Sequence, residues 1–211
     1  MRLLIGVVSA ETDEADEEMM IKCIQLGRAV ARHGMILLTG ADAGLPYAAT
    51  RGAQAAGGMV IGLSPAGSRE EHEHVYHLIV DGFDALLFTG VGNAGKLLEV
   101  IRSVDIVVVV GSGRVTLTTC ATAHALGKLV GVLSSGSATQ DRNTPDRTMP
   151  DASTSSRSLF TAAPTNDLFL DAEPIRLIDR LACASQTKGY VRPGVILPPP
   201  SAPYTLRQIL R

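Results

Sequence analysis

Short, uninterrupted runs of Val, Ile, Leu and Met recur along this chain at 3–8, 35–38, 59–63, within 79–89, at 105–110 and at 129–133. Glycine or small polar residues close each run. A strand with one face in water alternates apolar and polar residues, whereas a continuous apolar run of this length belongs to a strand buried on both faces. Helical patterns fill the gaps, from Thr12 or Asp13 to Gly34 and then at 46–56, 95–103 and 116–126. Strand and helix in alternation predict a single α/β domain, with a mostly parallel sheet, helices on both faces and right-handed connections.

The first helix is the best specified. Thr12 or Asp13 offers an N-cap, and Glu14, Asp16, Glu17 and Glu18 load the first turn with negative charge. Met19, Cys23, Leu26 and Val30 share one face, and Gly34 follows Arg32 and His33 as a stop. After residue 133 the pattern breaks. Residues 134–157 are rich in Ser, Thr, Asp and Pro and read as a polar surface loop. A last strand at 159–162 or 168–170 and a last helix at 172–184 complete a domain spanning 1–186. The tail 187–211 carries Pro193, Pro198, Pro199, Pro200 and Pro203 and reads as extended, its apolar residues needing a surface on the domain or on a second copy.

Composition works mainly by exclusion. Nineteen Lys and Arg against 21 Asp and Glu give a net charge of -2, and no basic patch marks a nucleic-acid partner. No apolar run has the length of a membrane span, and no leader pattern opens the chain. Cys23, Cys120 and Cys183 are scattered, which suits neither a disulfide framework nor a zinc site. A cytoplasmic protein without membrane contact or metal centre is expected. Glycine numbers 21 while aromatics make up 4%, which points to close backbone packing and tight turns.

Those turns carry the functional signal. Ser9 follows the first strand, Thr39, Gly40 and Gly44 the second, Pro65 the third, Gly90 the fourth, and Gly111, Ser112, Gly113 and Arg114 the fifth. In a parallel sheet these loops gather beyond the carboxyl ends of the strands, where open α/β sheets bind ligands. One glycine loop need mean only a tight turn. Five on one edge point to phosphate, because glycine admits the ligand and the next helix N-terminus offers free N–H groups. The fifth loop leads into Thr116 and Thr119, with Arg114 placed to clamp an anion, but it is neither a dinucleotide fingerprint nor a P-loop. The run Glu70-Glu-His-Glu-His74, with His77, matches no metal-ligand spacing and reads as a solvated loop. Cys120 reads as small core filler, and His124 as a packing or interface residue.

The run Gly34-Met-Ile-Leu-Leu-Thr-Gly, the run from Ala48 through Arg51-Gly-Ala-Gln-Ala-Ala-Gly-Gly-Met-Val-Ile-Gly-Leu-Ser-Pro65, and the stretches at 111–119 and 125–130 together resemble the Lonely Guy (LOG) superfamily. Within it the chain is most similar to the branch of bacterial molybdenum cofactor carrier proteins and DNA-processing-protein-like proteins. The resemblance covers 2–133 and, less closely, 168–184. It implies a Rossmann-like fold, a nucleotide or molybdenum-cofactor-like pterin phosphate as bound ligand, and a homodimer or higher homo-oligomer.

The departures from that family are chemical. Its phosphoribohydrolases carry PGGxGTxxE; here Gly113 and Thr116 match, but Thr119 stands at the Glu position and Lys96 near the family Arg. Thr39 and Gly40 match its TGG loop, whereas Ala41 and Pro46 do not. Cleaving an N-glycosidic bond requires a placed carboxylate, which a Thr hydroxyl cannot replace. The expectation is a binding protein with degenerate catalysis. The alternative is a nucleoside 5′-monophosphate phosphoribohydrolase with Glu99 as substitute acid, although a solvent-side Lys96–Glu99 ion pair is the plainer reading of that helix.

Overall fold

The five residues Ile106 to Val110 are buried along their whole length, as a strand covered on both faces must be. The computed structural model describes residues 2–9, 16–111, 114–134 and 167–187, and builds the rest of the sheet around this strand. In chain order the elements are β1 (Leu4–Ser9), α1 (Glu17–Arg32), β2 (Ile36–Thr39), α2 (Leu45–Ala55), β3 (Met59–Ser64), α3 (Arg69–His74) and β4 (Ala85–Phe88). There follow α4 (Gly92–Ser103), β5 (Ile106–Val110), α5 (Arg114–Ala125), β6 (Leu129–Leu133), β7 (Leu168–Asp171) and α6 (Pro174–Thr187). The strand order is β4-β3-β2-β1-β5-β6-β7, and every pairing is parallel. The chain walks outward from β1 to β4, then returns through α4 to the other side of β1.

That reversal puts the helices on opposite faces, and alternate residues of each strand serve the two layers. Ile5, Val7, Ile106, Val108 and Val110 pack with α1, α2 and α6. Val8, Val107 and Val109 pack with Val100 and Ile101 of α4 and Cys120 and Ala123 of α5. In the first layer two glycines set the spacing. A Cβ on Gly27 would stand 1.9 Å from the Ala49 carbonyl oxygen, and one on Gly52 would stand 2.1 Å from that of Ile24. The backbones of α1 and α2 touch there, which is why α2 is built of small residues. Burial pushes the thiols of Cys23 and Cys120 up to about 12, so both behave as small apolar filler.

Several boundaries differ from the sequence expectation. Asp16 caps α1 by accepting the Glu18 N–H, so only Glu17 and Glu18 lie in the first turn; Thr12, Asp13 and Glu14 lie outside the described residues. α4 begins at Gly92, earlier than 95, and α6 runs from Pro174, whose fixed φ suits a first helical position, to Thr187. The last strand is the one at 168–171; the alternative at 159–162, the loop 135–157 and the tail 188–211 lie outside the described residues. The run 70–74 is a correction, since it forms α3, capped by Ser68 and burying His72 completely. Among the described residues no helix is long and apolar enough to cross a membrane.

Side chains close the amino edge of the sheet. Asp105 Oδ2 accepts the Leu4 N–H at 2.9 Å, and Asp84 Oδ2 accepts the Val60 N–H at 2.7 Å. Lys128 Nζ donates to the carbonyls of Arg102 and Val104, at 3.1 and 2.6 Å, where α4 ends.

Candidate functional site

Strand order locates the site. β1 and β5 are neighbours whose outgoing connections leave in opposite directions, so a crevice opens beyond their carboxyl ends, where this class of sheet takes its ligands. Ser9 ends β1 in register with Val110, and Thr39 ends β2 in register with Gly62. Pro65, buried, and Gly90, exposed with φ 68°, follow β3 and β4, and Gly44 (φ 78°) opens α2. All these expected residues come to one edge.

On the β5 side, Gly111 has φ 107°, a backbone conformation that side chains disfavour, and its N–H reaches the Leu133 carbonyl at 3.2 Å. Ser112, Gly113 and the Arg114 side chain lie outside the described residues. Helix α5 starts at Arg114 and carries Thr116 and Thr119, both buried. Thr116 is 4% exposed, and its Oγ1 is buried without a hydrogen-bond partner among the described residues. Buried hydroxyls are almost always satisfied, so Thr116, like Thr50 on α2, keeps hydrogen-bonding capacity that the described residues leave unused. Thr119, one turn further along α5, offers a hydroxyl and no carboxylate.

On the β2 side, Lys96 corrects the expected Lys96–Glu99 pairing. Its side chain is only 11% exposed and places Nζ 2.5 Å from Asp42 Oδ1, across 54 residues of sequence. Asp42 itself is 33% exposed. The loop is shaped for this contact: Ala41 is buried at φ 58°, and a Cβ on Gly40 would lie 2.5 Å from Asp42 Oδ2 and 3.3 Å from Lys96 Cδ. Strain of this kind persists only where the surroundings over-determine it. Glu99 sits half-buried one turn further along α4. Sequence reasoning passed over Asp42 because it stands among turn-formers.

A second unforeseen group supports the edge from below. His72 Nε2 lies 3.0 Å from the Ile79 carbonyl, so it must carry the hydrogen. In the neutral ring Nδ1 then accepts from Ser64 Oγ at 2.8 Å, while Ser64 Oγ accepts the Ala66 N–H at 3.1 Å. Phe88 packs edge-on against the ring, and Thr89 Oγ1 donates to the Ser64 carbonyl at 2.7 Å. The network locks the β3 and β4 exits together and leaves Ser64 with no role as a nucleophile, since both residues are fully buried. The cap signature Ser68–Glu71 was the legible sign of α3.

At the far end of the edge, Asp171 is a structural acid. Its side chain is 4% exposed, receives Arg176 at 2.5 and 2.7 Å and caps the Glu173 N–H at 3.0 Å. Hydrogen bonds from the Arg176 guanidinium hold its carboxyl well below the usual carboxylate range, outweighing its burial.

Known proteins share this architecture. The molybdenum cofactor binding protein of Rippkaea orientalis is 26% identical, with a TM-score of 0.63 over 90% of this chain and 98% of that one. The molybdenum cofactor carrier protein of Chlamydomonas reinhardtii is 25% identical, with a TM-score of 0.66 over 88% of this chain and 99% of that one. An uncharacterised protein of Archaeoglobus fulgidus is 31% identical over 134 residues, 63% of this chain and 82% of its own length. The SLOG cluster4 family model matches residues 2–166, a span that includes β1 through β6 and both sides of the crevice; the chain belongs to the SLOG cluster4 family.

Proposed function

We propose that this protein binds a small phosphorylated ligand, a nucleotide or a molybdenum-cofactor-like pterin phosphate, in the crevice between β1 and β5. The N-terminus of α5 is the phosphate seat. The observation that carries this is the orphaned Thr116 hydroxyl, buried in the first turn of a helix that follows a glycine at φ 107°. A phosphate there completes the hydroxyl and meets the free N–H groups and partial positive charge of the helix. The two structural relatives that bind or carry the molybdenum cofactor support a ligand of this kind.

The reading is binding without hydrolysis, because Thr119 stands where the phosphoribohydrolases place their acid. We also propose a second copy of the chain against α4 and α5, whose outer surface exposes Leu97, Leu98 and, just beyond α5, Leu126. Calorimetry with AMP and inorganic phosphate tests the seat. Competitive binding is expected, with Thr116→Val weakening both by about tenfold, the size of one hydrogen bond to a charged group. If neither anion binds, the reading fails. Release of adenine from AMP faster than about one turnover per second, the low end of ordinary enzymes, restores the hydrolase alternative.

A further inference from the structure

We propose that the outer edge of β4 pairs with the same edge of a second copy of this chain, antiparallel about a two-fold axis, so that two 7-stranded sheets join into one. This surface is separate from the one proposed on α4 and α5, and its failure leaves the ligand-binding reading untouched.

The edge is open. β4 ends the sheet, and among the described residues it pairs with β3 alone. Asp84 gives its N–H to the Val60 carbonyl at 2.8 Å. Backbone groups alternate in direction along a strand, so Ala85 and Leu87 turn theirs away from β3. Sheets commonly guard such an edge with charge or proline. Neither is used here: from Ala85 to Gly95 the chain has no charged residue and no proline. Apolar side chains stand in solvent instead, Leu87 at 49%, Phe88 at 37% and Val91 at 40% exposed. The opposite end of the sheet is guarded, because β7 closes in Asp171 with the Arg176 and Arg180 guanidinium groups beside it.

Charge and symmetry select the occupant. Across a two-fold axis a strand meets its own sequence running the other way, so a charged strand repels itself, and β4 carries no charge. Setting Ala85 opposite Leu87 takes up the outward backbone groups of both residues, twice about the axis. It lays Leu87 over the small Ala85 on the α4 side, where Leu63, in register with Leu87, packs with Val100 and Ile101. The Asp84 carboxylates of the two copies then lie about 14 Å apart along the strands, beyond the screening length of about 8 Å at physiological salt. The contact also closes at two copies. Pairing β4 with β7 of the next molecule would run on as a filament, but it meets the charged groups of β7.

The test uses the full chain. In the unaltered protein, amide exchange at Ala85 and Leu87 is expected to slow about tenfold for a roughly hundredfold rise in concentration, as mass action requires for exchange through the free copy. Leu87→Lys is expected to halve the mass measured by light scattering, because it sets like charges on the paired edges. In a Cys183→Ser background a short bis-maleimide is expected to join Leu87→Cys in pairs and to leave Leu170→Cys, on β7, unjoined. Exchange at Ala85 and Leu87 that ignores concentration overturns the proposal, and if those amides are protected at every dilution, a segment of the same chain covers the edge. An unchanged mass in Leu87→Lys, or equal cross-linking at positions 87 and 170, overturns it as well. The exchange measurement does not depend on any variant folding.

Discussion

The two edges of the sheet use the same residue types for opposite ends. At the amino edge, Asp105 and Asp84 accept backbone N–H groups that start strands, and Lys128 caps the carbonyls that end α4. Each charge is spent on a backbone group of the fold. At the carboxyl edge, Asp42 and Lys96 face each other across two loops, with Asp42 a third exposed, and Thr116 on α5 has an Oγ1 without a partner among the described residues. The difference follows from geometry. Strands enter the sheet through short turns that a single side chain can close, whereas they leave it through glycine-bearing loops that hold the backbone open. Charge alone therefore says little about function; what matters is whether it closes a backbone group of the fold or is held between loops at the crevice.

Substitutions at the two edges sharpen that contrast. The largest effect is expected at Gly111. Alanine there must adopt φ near 107°, a strain on the order of 3 kcal/mol, and the loop is expected to relax away from the seat. Urea unfolding is expected to show the lost stability and calorimetry the loss of AMP binding. A variant that is unstable yet binds normally would separate Gly111 from the site.

A matched pair comes next. Lys96→Ala is expected to weaken nucleotide binding by about 1–3 kcal/mol, roughly ten- to a hundredfold, with a smaller change in stability. Asp105→Ala, at the opposite edge, is expected to cost about 1–2 kcal/mol of stability, because it strands the Leu4 N–H, and to leave nucleotide affinity unchanged. Thermal unfolding and calorimetry on both variants form the comparison. If the two proteins show the same pattern of losses, the division between structural and functional edges is wrong.

How much of this was legible in sequence depends on the range of the interaction. β5 and α1 announce themselves because burial on two faces, or on one helical stripe, leaves a periodic trace within a few residues. The gathering of Ser9, Thr39, Pro65, Gly90 and Gly111 on one edge was also legible, since a parallel sheet allows no other arrangement. The Asp42–Lys96 pair was not, because nothing local says that a lysine 54 residues away turns inward. Lys96 was matched with Glu99, its helical neighbour, for that reason. His72 was hidden differently. It sits among Glu70, Glu71 and Glu73, whose charge suggests solvent, while its own satisfaction comes from Ser64 and Ile79 outside the helix.

Asp171 tests the comparison from within, because it lies at the carboxyl edge yet behaves like the acids of the amino edge. Its partners are the Arg176 and Arg180 side chains and the Glu173 N–H of its own chain. If the partner decides the role, Asp171→Asn is expected to reduce stability and spare ligand binding. The guanidinium groups are largely solvated, so the ion pairs are screened, and the expected loss is only about 1 kcal/mol. Its pH dependence has a definite sign. The folded carboxyl titrates below its unfolded value, which is about 3.9, so its stabilisation is fully present above that pH and fades as pH falls toward the folded value. The gap in unfolding temperature between the natural protein and Asp171→Asn is therefore expected to hold steady from pH 8 to 5 and to narrow steadily below about pH 4, as the unfolded chain takes up its proton first. A gap that widens on acidification, or one that opens only above neutrality, would show that the carboxylate is not what ties α6 to β7.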